Sequence, residues 1–151
     1  MKTSDVTIRP VAGADREAWD RLYAGYAEFY KVEQTSAMRD TVWSWLMDEH
    51  KEVHGLVSVD AAGKLTGLTH FRPYARPLSA TTGGFLDDLF VDPQARGSGA
   101  AEALIRAVKA EGRMRGWTVI RWITADDNYR ARGLYDRLAE RTRWVTYDIK
   151  L

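Results

Sequence analysis

The chain has 151 residues, of which 45% are hydrophobic and 28% charged, a composition typical of one globular domain with its own core. Its 22 basic residues are balanced by 21 acidic ones, which argues against a nucleic-acid-binding protein that relies on a broad basic face. The absence of cysteine excludes disulfides, thiolate metal sites and a cysteine nucleophile. The polar N-terminus and the lack of a long apolar run predict a cytoplasmic protein with no membrane partner.

The spacing of apolar residues predicts ten elements in a single domain covering residues 1–151. In chain order we expect a strand at 6–9, a helix around Trp19–Tyr30 with Asp15 as its N-cap, a helix at 37–49, strands at 55–59, 65–71 and 84–91, a helix at 101–112, a strand at 117–124, a helix at 128–138 and a last strand at 144–149. This order predicts a mixed sheet with helices on both faces.

The most informative segment, Leu89 to Ala101, passes from an apolar strand through a loop of small residues into a helix. Gly97 and Gly99 carry no Cβ and allow a ligand close to the backbone, while Arg96 adds positive charge. Amides at a helix start suit a pyrophosphate. A simple turn into a helix is the alternative interpretation. The loop lacks the third glycine of a dinucleotide fingerprint, the Gly-Lys-Ser/Thr of a P-loop and the G-x-S-x-G of a nucleophile elbow.

Two motifs in this order resemble those of the GNAT superfamily of N-acetyltransferases. The pattern Gln/Arg-x-x-Gly-x-Gly/Ala is met by Arg96, Gly99 and Ala101, and the second motif by Asn128, Ala131, Leu134 and Tyr135. The Gly-Phe pair often found after that tyrosine is replaced by Ala139-Glu140. The resemblance implies an α+β fold of three α/β/α layers around a single, mostly antiparallel sheet.

The resemblance further implies that acetyl-CoA is the cosubstrate, and from the residues themselves we expect no metal. It assigns the pyrophosphate to the amides of Arg96, Gly97, Ser98, Gly99, Ala100 and Ala101, and the pantetheine arm to the backbone of Leu89, Phe90 and Val91, with Asn128 also at the cofactor. The three histidines have no metal-ligand spacing and are expected to be ordinary surface or core residues.

The chemistry of amide formation requires a base for the ammonium and benefits from an acid for the departing thiolate. The resemblance implies Tyr135 as the acid and, as in diamine-acting relatives, Asp87 as the base; a core tyrosine and a solvated strand-edge aspartate are the alternatives. Since successive strand residues face opposite sides, only one of Asp87 and Asp88 faces a given cleft. Asp88, Tyr30 and Trp144 are further candidates for binding the acceptor, although Trp144 also fits a core position.

The sequence therefore predicts an enzyme that transfers acetyl from acetyl-CoA directly to a primary amine of a small molecule. A protein lysine or N-terminal acetyltransferase and a non-catalytic CoA-binding module are the alternatives. Because many members of the family dimerise, we expect a homodimer.

Overall fold

The computed structural model describes residues 5–151, which form five strands and four α-helices. The elements are β1 (Thr7–Pro10), α1 (Arg16–Phe29), α2 (Ser36–Met47), β2 (His54–Val59), β3 (Leu65–Arg76), β4 (Thr81–Val91), α3 (Ala100–Arg115), β5 (Ile120–Arg121) and α4 (Tyr129–Leu138). None of the helices in this part of the chain is long and apolar enough to cross a membrane.

The sheet has the strand order β1-β2-β3-β4-β5, so its first four strands follow one another as antiparallel neighbours. β5 is parallel to β4 and pairs with it at only two positions, Gly84↔Ile120 and Phe85↔Arg121. Gly84 is required at this junction, because a Cβ there would come within 2.3 Å of the Trp117 ring. Beyond Phe85 the outer edge of β4 has no strand beside it in residues 5–151, and the sheet opens into a cleft.

The core has two halves, one on each face of the sheet, because neighbouring strand residues point to opposite sides. Leu56 packs with α3 residues such as Leu104 and Val108, whereas Val57 packs with Trp19 and Leu22 of α1. Helices α1 and α2 therefore cover one face, and α3 and α4 cover the other. The predicted three-layer α+β fold with helices on both faces is confirmed.

Three local predictions need correction. The strand expected at 117–124 is reduced to Ile120–Arg121, because the residues after it leave β4 and line a cavity. The strand expected at 144–149 does not form, since no neighbouring strand lies beside it in the described chain. Asp15 does occupy the N-cap position of α1, but its side chain accepts no hydrogen bond from the helix amides; its carboxylate instead accepts hydrogen bonds from the Arg9 guanidinium and from Ala12 N–H.

Candidate active site

A β-bulge in β4 separates the two adjacent aspartates. His70 of β3 is opposite Asp88, but the next residue, Phe71, is opposite Leu86, so Asp87 has no partner across the strand pair. A bulge re-aims the side chains of the strand that carries the extra residue. Asp87 lines a cavity near β5, whereas Asp88 points toward α1.

Asp88 belongs to a hydrogen-bonded chain beneath α1. Trp19 Nε1–H donates to His70 Nε2 (3.0 Å), so the remaining ring proton of a neutral His70 lies on Nδ1, 2.8 Å from Asp88 Oδ2. The Tyr23 hydroxyl donates to the same oxygen at 2.9 Å. Burial acts to raise the pKa of Asp88, but the hydrogen bonds from His70 and Tyr23 help to outweigh it, and the pKa is lowered. Asp88 is therefore a partly buried carboxylate whose hydrogen bonds are made within the fold.

Asp87 is the more exposed of the two aspartates. It lines a cavity of about 400 Å³ together with Tyr26, Trp122 and Tyr135. Arg72 Nε lies 3.0 Å from Asp87 Oδ2, and the side chain of Asp87 remains 32% exposed. Burial raises the pKa of Asp87, while the Arg72 guanidinium opposes that rise. A carboxylate with a raised pKa at the wall of a cavity has the properties of a general base.

A second cleft, of about 320 Å³, lies between β4, the start of α3 and α4. Gly97 and Gly99 both adopt φ = +85°, a region that glycine enters without steric cost, and a Cβ on Gly97 would meet nothing within 4 Å. The bond from Ala103 N–H to Gly99 O leaves the earlier amides of α3 outside the helical ladder. This loop is an open backbone cradle at a helix N-terminus, which suits a pyrophosphate.

Three arginines add positive charge to this cleft: Arg96, Arg130 and Arg137. Arg96 is held over the ring of Phe29, with its guanidinium carbon 5.0 Å from the ring centroid. Arg137 pairs with Glu102 at 3.1 Å. On the floor of the cleft, Leu89 to Val91 pair with β3 on one side only, so their other edge can bind an extended ligand arm.

Tyr135 stands where the two cavities meet. Tyr30, Leu89 and Tyr135 line both of them. The Tyr135 ring packs edge-on against Trp122 with 5.4 Å between ring centroids, and burial raises the pKa of its hydroxyl to about 12. The phenol therefore keeps its proton at neutral pH and remains a donor. Asn128, at the N-cap of α4, has its Nδ2 3.4 Å from the Tyr30 hydroxyl and joins α1 to this junction.

The structure brings most of the predicted site residues together. All ten residues expected at the cofactor line the cleft of about 320 Å³ that contains the three arginines: Leu89, Phe90, Val91, Arg96, Gly97, Ser98, Gly99, Ala100, Ala101 and Asn128. Asp87 and Tyr30 line the neighbouring cavity, but Asp88 and Trp144 line neither. Tyr26, Phe29, Arg72, Arg130 and Arg137 were not predicted; only Arg130 carried a usable signal, because it lies within the second motif.

The cleft fits acetyl-CoA on its own geometry. Positive-φ glycines, helix amides outside the helical ladder and arginines suit the phosphates, and the open edge of β4 suits the pantetheine arm. Within residues 5–151 no cluster of three or more potential metal ligands is present.

Comparison with known proteins agrees with this geometry. The acetyltransferase (GNAT) family model matches residues 19–139, which is more than half of the chain. The D-amino-acid N-acetyltransferase HPA3 of Saccharomyces cerevisiae is 25% identical over 97% of this chain and 92% of its own. A ribosomal-protein-alanine N-acetyltransferase from Brucella melitensis has the same fold, with a TM-score of 0.80 at 24% identity over 97% of this chain and 99% of that one.

A second similar solved structure is that of AAC(6')-Iy in complex with the bisubstrate analogue CoA-S-monomethyl-acetylneamine. It superposes with a TM-score of 0.79 at 21% identity, covering 97% of this chain and 98% of that one. Members of the matched family use acetyl-CoA as the acyl donor. The chain belongs to the acetyltransferase (GNAT) family and is an N-acetyltransferase.

Proposed function

We propose that the enzyme acetylates the primary amine of a small molecule by direct attack on acetyl-CoA. The observation that carries this proposal is the junction of the two cavities at Leu89 and Tyr135, with a phosphate cradle on one side and Asp87 on the other. Thioester and amine bound in these cavities meet at that junction, and no covalent acyl-enzyme is needed.

Each residue at the junction has a distinct task in this mechanism. Asp87 binds the ammonium and accepts its proton, directly or through water, which exposes the nitrogen lone pair. Unpaired amides of the Leu89–Val91 segment donate to the carbonyl oxygen as negative charge develops on it. Tyr135 donates its proton to the departing sulfur, and the buried surroundings of its hydroxyl keep that proton available.

The acceptor we favour within this class is an amino acid. Both hydrogen bonds from Arg72 to Asp87 are made by Nε, so the two Nη groups can still bind a carboxylate. A zwitterion then places its ammonium at Asp87 and its carboxylate at Arg72. A diamine would instead bring a second cation toward Arg72. The similarity to a yeast protein named as a D-amino-acid N-acetyltransferase supports the same choice.

The test compares D- and L-amino acids with the matched amines that lack the carboxylate, measured by CoA release. We expect Arg72→Gln to raise KM for amino acids at least about tenfold, the weight of one charge-assisted hydrogen bond, while KM for the matched amines changes little. Arg76→Gln, on the same strand but bonded to Thr118, is the control. An equal rise in KM for amino acids and for the matched amines would show that Arg72 does not bind a carboxylate.

Two other functions are tested by adding peptides and a measurement of acetyl-CoA binding to this screen. Turnover of peptide amines but not of free amino acids would favour a protein lysine or N-terminal acetyltransferase. Binding of acetyl-CoA without any turnover would favour a CoA-binding module, although such a module needs neither Asp87 nor Tyr135. A homodimer in the cytoplasm, as expected from the sequence and the family, completes the proposal.

A further inference from the structure

The β-bulge in β4 gives Asp87 a direction that a regular strand would not give it. Residues two apart in a regular strand face the same side of a sheet. Leu86, however, packs in the core beneath α3 and α4, whereas Asp88 accepts a hydrogen bond from Tyr23 of α1 on the other side. Asp87 is the extra residue between them, and it lines the cavity of about 400 Å³, here called the acceptor cavity.

The strand register on either side of the bulge is set by core residues. Leu86 lies opposite Phe71, and Phe90 lies opposite Leu68, and all four are buried. A slip of one residue would move these side chains to the wrong face of the sheet. Their burial therefore fixes which residue is the extra one, but it leaves open where the carboxylate of that residue points.

Two neighbouring residues on β3 hold the residue that follows Asp87. The Thr69 hydroxyl donates to the backbone carbonyl of Asp88 at 2.7 Å, and His70 Nδ1 lies 2.8 Å from the Asp88 carboxylate. Both Thr69 and His70 are buried, and Trp19 Nε1–H donates to the other nitrogen of the His70 ring. Asp88 is therefore held both by its backbone and by its side chain, which leaves the peptide next to Asp87 little freedom to turn.

We propose that Thr69 and His70 are positioning residues, which act through Asp88 to hold the Asp87 carboxylate against the acceptor ammonium. The inference rests on the function proposed above, in which Asp87 is the base. Neither Thr69 nor His70 lines the acceptor cavity or the cleft at the start of α3, so neither touches a substrate there. Displacing a reacting group by about 1 Å can cost about 10²-fold in rate, so a small turn of Asp87 is measurable.

The first test removes the Thr69 hydroxyl and keeps the shape of the side chain. Thr69→Val should lower kcat/KM for the acceptor by about 10- to 100-fold and leave KM for acetyl-CoA unchanged. Thr69→Ser keeps the hydroxyl and should restore most of the lost activity. Thr66→Val is the matched control, because Thr66 is buried on the same strand but its hydroxyl bonds to Ser58.

The control separates position from stability. Thr66→Val should lower the urea midpoint about as much as Thr69→Val does, while its kcat/KM for the acceptor stays near that of the wild type. Equal kcat/KM values for the two variants, whether both low or both unchanged, would overturn the proposal.

A double-mutant cycle shows whether Thr69 acts through Asp87. Asp87→Asn alone should slow acetyl transfer, and Thr69→Val added to it should slow the transfer little further, because the base that Thr69 positions is already gone. Losses that multiply in the double variant would overturn the proposal while leaving Asp87 as the base. An Asp87→Asn enzyme as fast as the wild type would instead refute Asp87 as the base, and with it any catalytic effect of its position.

The position of the Asp87 carboxylate can also be followed without turnover. Burial raises the pKa of Asp87, and a carboxylate that turns into solvent returns toward the ordinary pKa of about 3.9. Thr69→Val changes none of the ionisable groups around it, which are Arg72 on β3, Tyr26 on α1, Tyr135 on α4, and His70 and Asp88 beside the bulge. Carbon-13 NMR titration should show a lower pKa for Asp87 in Thr69→Val than in the wild type and in Thr66→Val. The same pKa in all three proteins would overturn the positioning role.

His70 is tested by two variants that both lose the hydrogen bond from Trp19. His70→Asn keeps a donor near the position of Nδ1 and can still bond to Asp88, whereas His70→Leu cannot. We expect kcat/KM for the acceptor to be about tenfold or more lower in His70→Leu than in His70→Asn. Equal values in the two folded variants would overturn the role of His70, and if His70→Leu does not fold, the Thr69 variants and the NMR titration decide the proposal.

Discussion

Replacing Asp88 by alanine removes the acceptor for two buried donors, His70 Nδ1–H at 2.8 Å and the Tyr23 hydroxyl at 2.9 Å. His70 cannot move its proton from Nδ1 to Nε2 without losing a hydrogen bond, because Nε2 already accepts from Trp19 Nε1–H. Each buried donor left without a partner costs about 1–3 kcal/mol, so we expect Asp88→Ala to lower the free energy of unfolding by roughly 2–6 kcal/mol. That is a large part of the ~5–15 kcal/mol typical of a domain.

The matched control is the neighbouring Asp87→Ala. Asp87 forms a partly exposed ion pair with Arg72, and such pairs contribute about 0–1 kcal/mol. Urea unfolding measures both variants. The free energy of unfolding falls by about 1–3 kcal/mol per molar urea. Asp88→Ala should therefore lower the urea midpoint by roughly 1 M or more, and Asp87→Ala should lower it by about a few tenths of 1 M. Equal midpoints for the two variants would refute the assignment of Asp88 to the fold and Asp87 to the substrate.

The same assignment predicts a dependence of stability on pH. The folded protein lowers the pKa of Asp88, so its contribution is present above the unfolded pKa of about 3.9 and is lost as pH falls through the folded pKa. Asp88→Asn should therefore show a shallower loss of stability on acidification than the wild type. Parallel curves for the two proteins between neutral and strongly acidic pH would contradict this.

Three further predictions concern catalysis and the cofactor. Tyr135→Phe should lower kcat by about 10²–10⁴ with little change in either KM, since the ring remains and only the donor is lost; an unchanged kcat with chemistry limiting would make the hydroxyl structural. Gly99→Glu should abolish acetyl-CoA binding in calorimetry. Gly116, the C-cap of α3, also has a positive φ, so Gly116→Glu should lower the stability of the protein but leave acetyl-CoA binding intact. Arg72→Gln removes the cation that opposes the raised pKa of Asp87, so the acid limb of kcat/KM should move to higher pH, and a shift to lower pH would exclude Asp87 as the base.

The cleft between β4 and the start of α3 was predictable because its determinants are local in sequence. A strand, two glycines and a helix start follow one another within Leu89–Ala101, and their backbone geometry depends little on distant residues. The second motif likewise sits on one helix, α4, whose spacing brings Asn128 and Tyr135 to the same cleft. The two core faces were predictable from the periodicity of apolar residues for the same reason.

The features that the sequence did not predict depend on contacts between distant parts of the chain. The choice between Asp87 and Asp88 is made by a one-residue bulge against His70, which periodicity does not reveal. The bond between Trp19 and His70 joins residues 51 positions apart. The last strand failed as a prediction because alternation indicates only that residues 144–149 can form a strand, and not that a neighbouring strand lies beside them.

We propose that the two cavities joined at Leu89 and Tyr135 form one catalytic centre for acetyl transfer to an amine. The most direct measurement is a single turnover, in which excess enzyme is mixed with labelled acetyl-CoA and an amino acid and the products are identified by mass spectrometry. We predict labelled N-acetyl amino acid and one CoA released per acetyl transferred, with Asp87→Asn slowing the transfer while acetyl-CoA still binds. Tight binding of acetyl-CoA with no labelled product from any amino acid, amine or peptide would contradict the account.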